Sequence, residues 1–134
     1  MPKLYNTNTM KNIISTTSAP AAIGPYSQAI EINGTLYISG QIPLDPATGV
    51  VVEGGITEQT EQVMKNIAAI LKEAGYTFEQ VVKSTCLLSD MAHFSAMNEV
   101  YGRYYKENPP ARAAFAVKEL PRSVLVEIET IAVK

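Results

Sequence analysis

Residues 57–88, TEQTEQVMKNIAAILKEAGYTFEQVVKSTCLL, carry two different apolar periods, and the switch between them decides the class of fold. Val63, Ile67, Ile70, Leu71 and Ala74 fall at i, i+4, i+7, i+8 and i+11, the stripe that an amphipathic helix lays on a core. Thr57 suits the N-cap, Glu58 and Glu61 suit the positive first turn, and Gly75 stands where a left-handed residue ends a helix. Val81–Leu88 then reads as a strand with apolar residues on both faces.

Working outward, Gln28–Ile32 and Thr35–Ser39 are β runs separated by Asn33-Gly34. That pair is a strong hairpin signal, because both central positions of a type I′ turn need positive φ. Pro43, Asp45-Pro46 and Gly49 mark a loop, and Gly54-Gly55 another. Downstream, Asp90 can cap a second helix with Phe94, Met97, Tyr101 and Tyr104 on one side, which Asn108-Pro109-Pro110 stops. Ala113–Lys118 and Val124–Val133 complete the series as two strands joined through Leu120-Pro121-Arg122. The order ββαβαββ predicts an α+β domain with a mixed, mainly antiparallel sheet and both helices on one face. The other face then needs cover from outside the chain.

The bulk numbers bound the function. At 134 residues, with no repeat or linker, the chain is expected to be one domain, residues 1–10 forming a flexible extension. The opening MPKLYNTNTMKNIIS has no apolar core and does not read as a signal peptide. No apolar stretch approaches the roughly 20 residues that span a bilayer, and the expected compartment is the cytoplasm. A net charge of -2 with scattered basic residues makes nucleic acid a poor partner. One cysteine, Cys86, excludes an internal disulfide, and with a single histidine, His93, one chain cannot assemble a Cys/His zinc site.

The last two strands hold the candidate chemistry. Read as a hairpin, with Phe115 and Val117 beside Val126 and Val124 under the helices, they send Arg112, Ala114, Glu127 and Glu129 to the opposite face. Ala114 is then expected across from Glu127, and Arg112 diagonal to it. Two carboxylates at i, i+2 repel unless something offsets them, the alanines leave room, and Leu125 and Ile131 add apolar walls. A guanidinium and a carboxylate in such a depression suit a small anionic substrate. The same pattern also fits a solvated cross-strand ion pair worth about 0–1 kcal/mol.

Four motifs bring a resemblance: Ala22–Ala29 (AIGPYSQA), Ser39–Pro43 (SGQIP), Pro110–Ala114 (PARAA) and Val126–Ala132 (VEIETIA). From about Ile13 onward the chain resembles the reactive-intermediate imine deaminase family, RidA, also called YjgF. The resemblance implies a chorismate-mutase-like fold and a homotrimer with its sheets packed around a three-fold axis. It also implies hydrolysis of 2-iminopropanoate and 2-iminobutanoate, the tautomers of 2-aminoacrylate-type enamines, with no metal or cofactor. By position, Arg112 matches the arginine that binds the substrate carboxylate, a task suited to its two parallel, permanently charged donors. Glu127 matches the glutamate that holds the attacking water, Tyr26 the tyrosine that closes the pocket, and Ser39 and Asn98 polar pocket positions. Ala114 stands where many members carry cysteine, so thiol chemistry is absent there and only backbone groups remain.

Other candidates read plainly. Cys86 is expected as a small buried side chain in its strand, His93 as a capping-region residue, and Tyr101, Tyr104 and Tyr105 as packing. Ser39-Gly40 lacks the spacing of a nucleophile elbow, and Gly54-Gly55 lacks the lysine of a phosphate loop. Two alternatives stand beside imine hydrolysis: a non-catalytic trimeric module that binds small carboxylates, and translation inhibition or RNA cleavage.

Overall fold

The computed structural model describes residues 10–134, so the expected extension lies, apart from Met10, outside the described residues. Asn33 (φ 50°) and Gly34 (φ 78°) are both left-handed, with Ile32 paired to Thr35 across them. The type I′ hairpin therefore forms as its dipeptide dictates. Its arms are β2 (Ala29–Ile32) and β3 (Thr35–Gln41). A short strand that the sequence reading lacked, β1 (Asn12–Ile14), pairs antiparallel with β2.

Helix α1 spans Ile56–Ala74. Its N-cap is Gly55 rather than Thr57: the Gly55 N–H donates to the Glu58 carboxylate at 2.8 Å, and Thr57 already lies within the first turn. Gly75 closes the helix at φ 82°, where a side chain would be strained. Val63, Met64, Ile67, Ile70 and Leu71 are at most 1% exposed. Each contributes on the order of 1.5–3 kcal/mol of burial, which is what pins α1 to the sheet. β4 (Val81–Leu88) follows, then a turn at Met91–His93 where the Asp90 carboxylate accepts from the Ala92 N–H at 2.8 Å. Helix α2 (Phe94–Tyr104), β5 (Ala111–Ala116) and β6 (Val126–Val133) complete the chain.

The sheet order is β1-β2-β3-β6-β4-β5. β6 is antiparallel to both β3 and β4, while β5 runs parallel to β4 at the sheet edge. The expected hairpin of the last two strands is therefore wrong, because β4 lies between them. Residues 117–125 carry the chain past the end of β4, fastened by Val117 N–H to Leu88 O at 2.9 Å and Ser89 N–H to Leu125 O at 3.0 Å. The physical reason is apolarity. β4 can be buried on both faces and takes the interior place, whereas alanine-rich β5 suits an edge.

Both helices cover one sheet face, enclosing Leu36, Ile38, Cys86, Leu88, Val126, Ile128 and Ala132. Among the described residues the opposite face has no helix. Ile13 is 64% exposed there, Tyr37 49%, Phe115 48% and Val133 42%. Exposed apolar side chains gathered on this face suit an interaction surface. Among the described residues no helix is long and apolar enough to cross a membrane.

Candidate active site

Register assigns each strand residue to a face, because bridged partners point the same way. Arg112 aligns with Ser84, and Ser84 with Thr130. Ser84 and Thr130 are buried, so this row lies under the helices. Glu127 aligns with Leu87, and Leu87 with exposed Phe115, on the bare face. Arg112 and Glu127 thus stand on opposite sides of the sheet. They are separated by about 10 Å across the strands and about 10 Å along them. Ala114 aligns with buried Cys86 and shares the helix side with Arg112, not the side of Glu127. The expected shared face was an error of one flip in β5, forced by treating Phe115 as core when it is half-exposed.

Each residue sits in its own open cavity. On the helix side, Asn98, Tyr101, Gly102, Tyr105, Pro109 and Pro110 surround Arg112 in a space of about 440 Å³. Arg112 donates through Nη1 to Asn98 Oδ1 at 2.6 Å. Its guanidinium carbon lies 5.4 Å from the Phe94 ring centre and 4.9 Å from that of Tyr101. Among the described residues no carboxylate pairs with it; the one ion pair joins Arg103 to Glu61. A half-buried fork with only neutral neighbours is set to receive an anion.

On the bare side, Ile23, Tyr26, Ser39, Gly40, Ile42, Pro121 and Glu127 enclose about 480 Å³. Burial raises the Glu127 carboxyl above the usual carboxylate range, and the nearby Glu129 charge adds to it. An ionised Glu127 with a raised pKa makes a better proton acceptor than an ordinary surface glutamate. Ser39 is tied locally, its Oγ donating to Ser27 O at 2.6 Å. Tyr26 is half-exposed and forms one wall of the cavity.

Gly40 is a site residue that the sequence reading missed. It sits in the irregular stretch of β3 between Ile38 and Gln41, and a Cβ there would lie 2.0 Å from Glu127 Oε2. Only glycine lets the carboxylate rest against this backbone. A glycine inside a strand pattern was the available signal, since such positions mark bulges or close approaches.

Cys86 is buried, and burial pushes its thiol up to about 11 even with the Arg112 guanidinium nearby. It is not a nucleophile at neutral pH. No three His, Cys, Asp or Glu side chains gather as metal ligands among the described residues.

The sheet and the two cavities define a small α+β protein that presents an arginine without an ion-pair partner and a half-buried carboxylate on opposite surfaces. Residues 16–134 match the family model described as Endoribonuclease L-PSP. The chain belongs to this family, the RidA family that its motifs resemble. The 2-iminobutanoate/2-iminopropanoate deaminase of Mus musculus is 54% identical over 125 residues, 93% of each chain. A Rid-family protein from Yersinia pestis superposes with a TM-score of 0.91 at 49% identity, covering 93% of this chain and 100% of that one. E. coli TdcF, solved with bound serine, gives 0.88 at 36% identity, covering 92% and 98%.

Proposed function

We propose that this protein hydrolyses 2-imino acids, 2-iminopropanoate and 2-iminobutanoate, to 2-oxo acids and ammonia in the cytoplasm. It would act as a chorismate-mutase-like homotrimer in which Arg112 of one copy and Glu127 of the next share a cleft. The observation that carries this reading is the pair of unneutralised, half-buried charges, Arg112 and Glu127, in separate open cavities on opposite sheet faces. Neither half-site is sufficient alone. The bare apolar face gives a second copy something to cover.

In this reading the Arg112 fork grips the substrate carboxylate, through charge-assisted bonds worth roughly 1.5–3 kcal/mol each, and so fixes the imine carbon. Asn98 lines the same cavity, and Ala114, two residues along β5, would contribute backbone groups only. Glu127 accepts a proton from water as the water oxygen bonds to the imine carbon. That proton, passed to nitrogen, gives the neutral aminol; as the aminol hydroxyl proton then moves to nitrogen and the C–N bond breaks, ammonia leaves and the C=O of the oxo acid forms. Ile23, Tyr26, Ile42 and Pro121 would face the short alkyl chain, and Ser39 helps shape the loop behind it.

The family model's description gives RNA cleavage as the second reading. The net charge of -2 gives no overall pull toward a phosphate backbone, which favours the small carboxylate. A coupled assay tests the proposal. A dehydratase acting on serine or threonine supplies the imine, and oxo-acid release is followed with and without the protein. Acceleration is expected, falling at least about 100-fold in Arg112→Ala and in Arg112→Lys, which keeps charge but loses the fork. Undiminished rates in both variants would remove Arg112 from the chemistry.

A further inference from the structure

Arg112 is held unusually for a half-buried cation. Phe94, Asn98 and Tyr101 stand at i, i+4 and i+7 of α2, a single stripe facing the β5 edge. Both rings lie within the roughly 6 Å reach of a cation–π contact, and Asn98 Oδ1 takes one N–H at 2.6 Å. These three groups stabilise positive charge without neutralising it. A carboxylate in their place would occupy the fork and cancel the field that an incoming anion needs.

Tyr101 has a second telling feature. Its buried hydroxyl makes no hydrogen bond to Arg112, whose contact with this residue is the ring. Arg112 aligns on β5 with buried Ser84 of β4, and buried Cys86 lies two residues along the same face.

We propose that the Phe94–Asn98–Tyr101 stripe is a positioning cradle for Arg112, setting the protein's affinity for small 2-oxo and 2-imino carboxylates by keeping the fork charged, unpaired and aimed outward. The inference rests on the reading of Arg112 as the carboxylate anchor. Phe94 and Tyr101 act through Arg112 and touch no reacting atom, so their loss weakens binding more than turnover.

The test reads KM and kcat in the coupled assay, with calorimetric titration of 2-oxobutanoate and thermal melts as a fold control. Phe94→Leu and Tyr101→Leu are expected to raise KM and Kd about fivefold with kcat held within about twofold. Phe94→Tyr and Tyr101→Phe restore a ring and should recover most of that loss. Asn98→Asp places a carboxylate on the fork and is expected to raise Kd further than Asn98→Ala does. Tyr101 is buried; should Tyr101→Leu fail to fold, half-exposed Phe94→Leu still decides the matter. A Phe94→Leu variant that folds and binds 2-oxobutanoate like the parent overturns the cradle. If Arg112→Ala also binds it normally, the carboxylate-anchor reading falls too; if Arg112→Ala alone loses binding, only the cradle does.

Discussion

Gly40 and Glu127 show how one missing side chain can define a reactive group. The atom that a Gly40 Cβ would strike is the far end of the Glu127 side chain, which can swing away cheaply. Gly40→Ala is therefore expected to leave the melting temperature nearly unchanged while lowering kcat/KM at least about tenfold, because a small displacement from attack geometry is costly. The raised Glu127 pKa adds a pH signature. As the proposed proton acceptor Glu127 must be ionised, so kcat/KM should fall with decreasing pH through an inflection above the usual glutamate range. Burial is the larger cause and Glu129 the smaller, so Glu129→Gln should move the inflection down without abolishing it. The linkage sign is the reverse of a salt-bridged acid. The fold binds the Glu127 proton more tightly than the unfolded chain does, so burying the charge costs stability above that pKa and the cost disappears below it. Glu127→Gln should accordingly melt higher than the parent at neutral pH while losing activity, and a lower melting temperature would refute that sign.

At the scale of elements, the layer between α2 and the sheet holds buried hydroxyls on Ser84, Thr130, Tyr101 and Tyr105 with no hydrogen-bond partner among the described residues. Burial is also the leading reason that the Tyr101 and Tyr105 phenols are raised. A buried hydroxyl without a partner carries a desolvation cost of about 1–3 kcal/mol, and its apolar isostere removes it. Thr130→Val should thus raise stability by up to about 1–2 kcal/mol in denaturant unfolding; a clear loss would mean that the hydroxyl is satisfied. Legibility from the sequence follows the same division between local and distant interactions. The Asn33-Gly34 hairpin, the α1 stripe and the Gly75 stop were readable because each depends on neighbours a few residues away. The place of β5 was not. Alternation in ARAAFA says which residues share a face but not which face, and its pairing with β4 is set by competition for the sheet interior. Arg112 and Glu127 could be singled out as candidates; their separation by the sheet could not.

At the scale of the molecule, that separation becomes the sharpest available test. One chain presents Arg112 at its β5 edge under α2 and Glu127 on the bare face between β3 and β4. Within one copy the sheet itself blocks the two from meeting over a small substrate. An assembly that buries the bare apolar faces around a closed symmetry axis gives every copy the same two neighbours, so each cleft can draw its arginine from one chain and its glutamate from the next. Arg112→Ala and Glu127→Gln should each be nearly inactive when purified separately. Refolded together in equal amounts, they mix at random, and a cleft works only when it takes Arg112 from a Glu127→Gln chain and Glu127 from an Arg112→Ala chain. Each condition is met half the time, so about one quarter of parental activity per cleft should return. A same-chain site cannot be rescued this way, because every chain in the mixture carries one lesion. Activity that stays at the level of the separate variants, in a mixture whose exchange is verified by mass, would therefore exclude the shared cleft.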